Sequence, residues 1–202
     1  MRCKATQPEE KKIMDKVKFG IKNVHIFPIK SESAEGVPTF DEGFAVPGAV
    51  SLSLDKDGDT KPFYADNIKY YVTVSNNGYE GDLEIAVIPD EFRIKILKYT
   101  KNNDGVLIEN STKEPTPFAM TYEEEGDQTG TKFCLYKGTA TRPSLSHSTT
   151  QESKEPTTQK LNMSFSPLKD GKVLAMTTED TKQTVINNWH NAPYWDEDIP
   201  SV

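Results

Sequence analysis

The chain has 202 residues, 35% of them hydrophobic and 27% charged, which is enough for one core and not for two. Its 24 basic and 31 acidic side chains leave a net charge of −7, which argues against a protein that grips nucleic acid through phosphate contacts. No apolar run reaches the length of a membrane span, the opening MRCKATQPEEKKI lacks the apolar centre of a secretion signal, and two cysteines, Cys3 and Cys134, suit a reducing compartment rather than a disulfide scaffold.

Taken in order, the elements read mostly as strands. Lys16 to Ile29 puts Val17, Phe19 and Ile21 on one face and then Val24 and Ile26 after a phase slip, the mark of a bulge. Ala49 to Leu54 alternates Val50, Leu52 and Leu54 against Ser51 and Ser53, and Asp55-Lys-Asp-Gly-Asp59 supplies turn chemistry rather than a calcium loop. Lys69 to Ser75 is rich in β-branched and aromatic residues. Asn76-Asn77-Gly78 follows, then Tyr79 to Ile88 with Leu83, Ile85 and Val87 on one face, a pattern that predicts a hairpin about the Asn-Gly pair. Asp90 is placed to cap a short helix, EFRIKILKY, with Phe92, Ile96 and Tyr99 at helical spacing. Phe118 to Glu123, Lys132 to Ala140, Gln159 to Ser166 and Lys172 to Thr178 read as further strands. Arg142 to Pro156 is a polar loop, and periodicity is lost from Glu179 onward. The sum is roughly seven to nine strands and one helix, a mainly β fold. The expected architecture is a two-sheet β-sandwich or barrel with a short flanking helix and extended arms.

The residues offer no catalytic constellation. His25, His147 and His190 have no second ligand at metal spacing, Cys134 reads as a small buried thiol within a strand, and Glu123-Glu124-Glu125 reads as a solvated strand end. The expectation is therefore a protein that is not an enzyme, with no cofactor, no metal and no membrane partner. Aromatics outside clean strand alternation carry more information. Phe40, Phe44, Phe63, Tyr64, Trp189, Tyr194 and Trp195 fall in loops, strand ends and the tail, and as a set they suit a partner surface.

Several blocks in succession resemble one family. Pro47-Gly-Ala-Val-Ser-Leu-Ser-Leu-Asp55, Gly58-Asp59, Phe63-Tyr-Ala-Asp-Asn67, Tyr70-Tyr71, Ser75-Asn-Asn-Gly-Tyr79, Gly81-Asp-Leu-Glu-Ile85, Ile88-Pro-Asp-Glu-Phe92 and Ala140-Thr-Arg-Pro143 are similar to the major tail protein, or tail tube protein, of long-tailed, non-contractile bacteriophages of Gram-positive bacteria. The resemblance runs from about Asp15 to Thr178. It implies a phage tail tube fold at residues 14–178. Residues 1–13 precede the point where relatives start and depart from the family pattern, so they are expected to be a leader ahead of a natural start at Met14; residues 179–202 lie beyond the match and, having lost periodicity, are expected to form a C-terminal arm. The resemblance further implies a structural virion protein that assembles in the host cytoplasm into stacked hexameric rings. Its partners would be further copies of itself, the tape measure protein, the tail terminator and the tail tip proteins, with double-stranded DNA passing through the lumen without tight binding. Two other readings stand beside it: the tube of a tail-like bacteriocin or secretion system, and a carbohydrate-binding or adhesin-like β-sandwich using Trp189, Tyr194 and Trp195.

Overall fold

The computed structural model describes residues 20–126, 130–145 and 157–195. The expected leader at 1–13, Val17, Phe19, Cys3, His147, most of the polar loop and the last seven residues lie outside them. The strands are β1 (Gly20–Glu32), β2 (Pro38–Phe40), β3 (Phe44–Ala45), β4 (Ala49–Asp57), β5 (Thr60–Ala65), β6 (Ile68–Val74), β7 (Gly78–Ile85), β8 (Thr100–Lys101), β9 (Leu107–Ile108), β10 (Phe118–Glu125), β11 (Lys132–Ala140), β12 (Gln159–Phe165) and β13 (Leu174–Met176). Two short helices complete the fold, α1 (Asp90–Lys95) and α2 (Gln183–Asn188). The fold is mainly β, as the alternation predicts.

A nine-stranded antiparallel sheet runs β2-β1-β10-β11-β12-β7-β4, with β13 joined to β11 and β3 to β1. β1 and β4 lie far apart in that order yet come back into contact, so the sheet curls round a single main core. That core is filled by Val24 and Ile26 of β1, Leu83 and Ile85 of β7, Phe118 and Met120 of β10, and Leu161, Met163 and Phe165 of β12. α1 covers it: Phe92 and Ile96 are fully buried, and Phe92 meets Phe44 and Phe118 edge-on at ring-centroid distances of 6.5 and 6.0 Å. The predicted slip in β1 is present as a register shift between Lys22 and His25, with Asn23 at φ 54°.

Five local expectations are corrected. Asp90 is the first helical residue and not the cap; Pro89 stands at the cap position, where no side chain bonds the helix. A bulge between Ala49 and Ser51 turns Val50 outward, and β7 ends at Ile85, so Val87 is exposed instead of facing the core with Leu83 and Ile85. The Asn76-Asn77-Gly78 segment does not turn a hairpin. β6 pairs β5, and the tight turn is Asp66-Asn67, both at positive φ (52° and 60°), the signature of a type I′ turn. Finally, the segment after Thr178 contains α2 and contributes to packing: Trp189 is buried with Cys134, Tyr136 and Leu168 in a second, smaller cluster.

Candidate assembly and lumen surfaces

Alternation along three neighbouring strands produces two faces of opposite character. Register places Leu52, Leu83 and Leu161 in one row across β4, β7 and β12, and Leu54, Gly81 and Met163 in another, all on the core side. The rows between them read Ser51–Glu84–Lys160, Ser53–Asp82–Asn162 and Asp55–Glu80–Ser164, the last continued by Thr139 of β11. These polar side chains are exposed or half-buried. Four carboxylates (Asp55, Glu80, Asp82 and Glu84) thus share a face with one lysine, Lys160, among serines, an asparagine and a threonine. Hydrogen bonds from Thr158 and from Ser51 (3.1 Å) hold the Glu84 carboxyl below the ordinary carboxylate range, so its charge is secured.

The second surface is an arm. The ladder of β4 and β7 closes at Asp57 and Gly78 and then continues: Asn77 N–H donates to Asp57 O (2.9 Å), Ser75 N–H to Asp59 O (3.0 Å), and Thr60 faces Val74. Gly58 sits in this joint at φ 153°, where an added Cβ would lie 2.2 Å from Ser75 O, so close backbone approach excludes a side chain. Beyond it β5 and β6 pair only with each other. Their large side chains stay in solvent: Phe63, Tyr64, Ile68, Tyr70, Tyr71 and Val74 are each more than 60% exposed.

The seven aromatics predicted to form an interface divide. Phe63 and Tyr64 are on the arm and free. Phe44 is core, 6% exposed with Lys95 Nζ 5.2 Å above its ring, and Phe40 is half-buried in β2 beside the groove between residues 37–45 and 190–195. Trp189 is 3% exposed and donates from Nε1 to Phe133 O at 3.1 Å, so it is removed from any partner surface. Tyr194 stacks on Trp189 at 5.4 Å. Trp195 meets Tyr136 edge-on at 5.7 Å and lies under Lys172 Nζ at 4.3 Å. The last three therefore come together on their own subunit, Trp189 buried and Tyr194 and Trp195 half-buried against it, and form no exposed aromatic strip. The sequence reading places Tyr70, Tyr71 and Val74 in an ordinary strand from Lys69 to Ser75 and leaves Ile68 outside it, and none of the four is among its interface residues. The signal was there: KYYVTV is bulky at almost every position, with tyrosines on both of its alternating faces.

Glu123 corrects another expectation. It is buried, and its carboxylate meets Lys132 Nζ at 2.5 Å, Lys22 Nζ at 3.1 Å and Asn23 Nδ2 at 3.2 Å. Burial raises the carboxyl, but those hydrogen bonds prevail and bring it down to about 2. Cys134 is buried in β11 as expected, and desolvation pushes its thiol up to about 12, out of the range of a nucleophile at neutral pH. Among the described residues no group of three His, Cys, Asp or Glu side chains is disposed to hold a metal, and no helix is long and apolar enough to cross a membrane.

No protein-family model and no curated protein matches the chain. Among solved structures it is similar to one described as the tube-terminating cap of the anti-feeding prophage, with 13% identity, a TM-score of 0.40, and coverage of 80% of this chain and 93% of that one. A likeness this slight carries no inference about what this chain does.

Proposed function

We propose that the protein is a non-catalytic structural subunit of a phage tail tube, assembling into stacked, hexameric rings whose bore conducts the genome. The observation that carries this reading is the acidic face shared by β4, β7 and β12. A surface of small polar groups and carboxylates repels a polyanion, whereas lysines would release counterions and hold the duplex. The arm supplies the complementary need. An exposed, mainly apolar ribbon continuing one edge of a curled sheet is what a subunit uses to reach its neighbour, and a contact of that kind repeated about an axis closes a ring. The resemblance of residues 15–178 to tail tube proteins supports the same reading.

Electron microscopy of the purified chain tests it, alone and with Phe63→Ser and Tyr71→Ser combined. These two side chains face each other across the ribbon and touch no core. The double variant is expected to melt like the parent, within about 0.5 kcal/mol, and to form no rings or tubes where the parent forms them. Tubes of unchanged yield from the variant would remove the arm from the interface. A parent that gives neither rings nor tubes at any concentration, even when seeded with tail tips, would overturn the tube itself.

A further inference from the structure

Among the contacts that hold the C-terminal segment to the sheet, two are unlike in kind. One is apolar, with Trp189 lying over Cys134, Tyr136 and Leu168. The other is ionisable. His190 places Nδ1 3.0 Å from Thr121 Oγ1, and Nε2 3.5 Å from both Lys132 Nζ and Glu123 Oε2, while its ring stacks on His25 with centroids 5.0 Å apart. The charged or titratable groups facing it are thus His25 from β1, Glu123 from β10 and Lys132 from β11. Lys22 of β1 lies on the same carboxylate, and the exposed Asp41 and Glu42, between β2 and β3, line the same groove. Glu123 already accepts from Lys132, Lys22 and Asn23, so it has little left to offer a further cation.

We propose that residues 183–195 form an acid-released latch: a proton on His190, set against Lys132 and His25, lifts Trp189 from the sheet and uncovers Cys134. Burial first, then the charges of Lys132 and His25, push the docked His190 down to about 4, outweighing the opposite pull of Glu123. In a released segment the same imidazole titrates near its ordinary value of about 6.5. Above that pH His190 is neutral in both states and docking is at full strength. As pH falls from about 6.5 towards about 4, only the released state takes up the proton, and docking weakens by roughly a hundredfold. Glu123, held at about 2, stays charged across this window and does not open the latch.

Trp189 and Trp195 are the two tryptophans of the chain, so tryptophan fluorescence, excited selectively over tyrosine, reports this segment alone. The test uses the full chain with Cys3→Ser, taken from about pH 7.5 to about pH 4. Three signals are followed: tryptophan emission, far-ultraviolet circular dichroism, and the rate at which 4,4′-dithiodipyridine reacts with Cys134. Emission is expected to move to the red, and the Cys134 rate, taken relative to that of the urea-unfolded chain at the same pH so that the loss of thiolate on acidification cancels, to rise about tenfold or more, while the dichroism of the sheet holds. His25→Gln removes the imidazole that opposes charge on His190 and should shift the midpoint to lower pH; His190→Gln should abolish the transition. If His190→Gln is already red-shifted at neutral pH, the midpoint of His25→Gln decides. A flat response down to the lowest pH, a midpoint unmoved by His25→Gln, or a transition coincident with loss of dichroism would each overturn the latch.

Discussion

Glu123 accepts from side chains on both strands that flank its own, Lys22 and Asn23 of β1 and Lys132 of β11. Such a carboxylate is costly to bury and costly to neutralise, because removing one charge leaves its partners desolvated and unpaired. Its depressed pKa fixes the sign of the pH dependence. The contribution is complete above the ordinary glutamate value of about 4.5 and is lost as pH falls through that value towards about 2. Glu123→Gln is therefore expected to lower the unfolding free energy by about 2–3 kcal/mol at neutral pH. Urea melts at a series of pH values should show the gap to the parent closing on acidification. A gap that stays constant would assign the loss to packing instead of charge.

At the scale of elements, α1 is a plug whose worth lies in one ring. Phe92 joins a chain of edge-to-face contacts that runs from Phe44 through Phe118 to Phe165, the last pair 6.1 Å apart, and ties β3, β10 and β12 together. Phe92→Ala should cost about 3–5 kcal/mol, read from denaturant unfolding, because the cavity opens between the helix and the sheet where neither can collapse. This helix was legible from Phe92 and Ile96 at helical spacing, and β12 from alternation that one buried face enforces, whereas β11 is a run of apolar residues buried on both faces. The same alternation in SLSLD, EGDLE and QKLNMS marked the polar face. Three features were not legible. α2 has six residues and no amphipathic repeat, so it exists through tertiary contact at Trp189. The hairpin was misplaced because Asn-Gly reports local backbone preference, whereas pairing is set by the register that joins Asp57 to Gly78 across the arm. Glu123 was read as solvated because Asn23, which bonds it, lies one hundred residues away in the chain.

For the whole molecule, the proposed assembly separates two duties onto two surfaces, and that separation can be tested by charge. The arm would carry contact between subunits, while the rows containing Glu80 and Asp82 would carry none and face the bore. Glu80→Lys combined with Asp82→Lys changes the charge of that face by four without touching the core rows of Leu83, Leu161 and Met163. Monomer stability should stay within about 1 kcal/mol, since the altered side chains are in solvent or half-buried, and tubes should form as before. What should change is the fate of DNA. Tubes of the variant are expected to retain double-stranded DNA at low salt and release it as salt rises, with a steep dependence that reflects counterion uptake, whereas parent tubes retain none. Filter retention or electron microscopy of DNA-loaded tubes over a salt series measures this. Variant tubes that pass DNA as freely as the parent would place these carboxylates away from the channel. Failure of the variant to assemble, with its melt unchanged, would place the same strands at a contact between subunits and leave the bore to be sought on another face of the sheet.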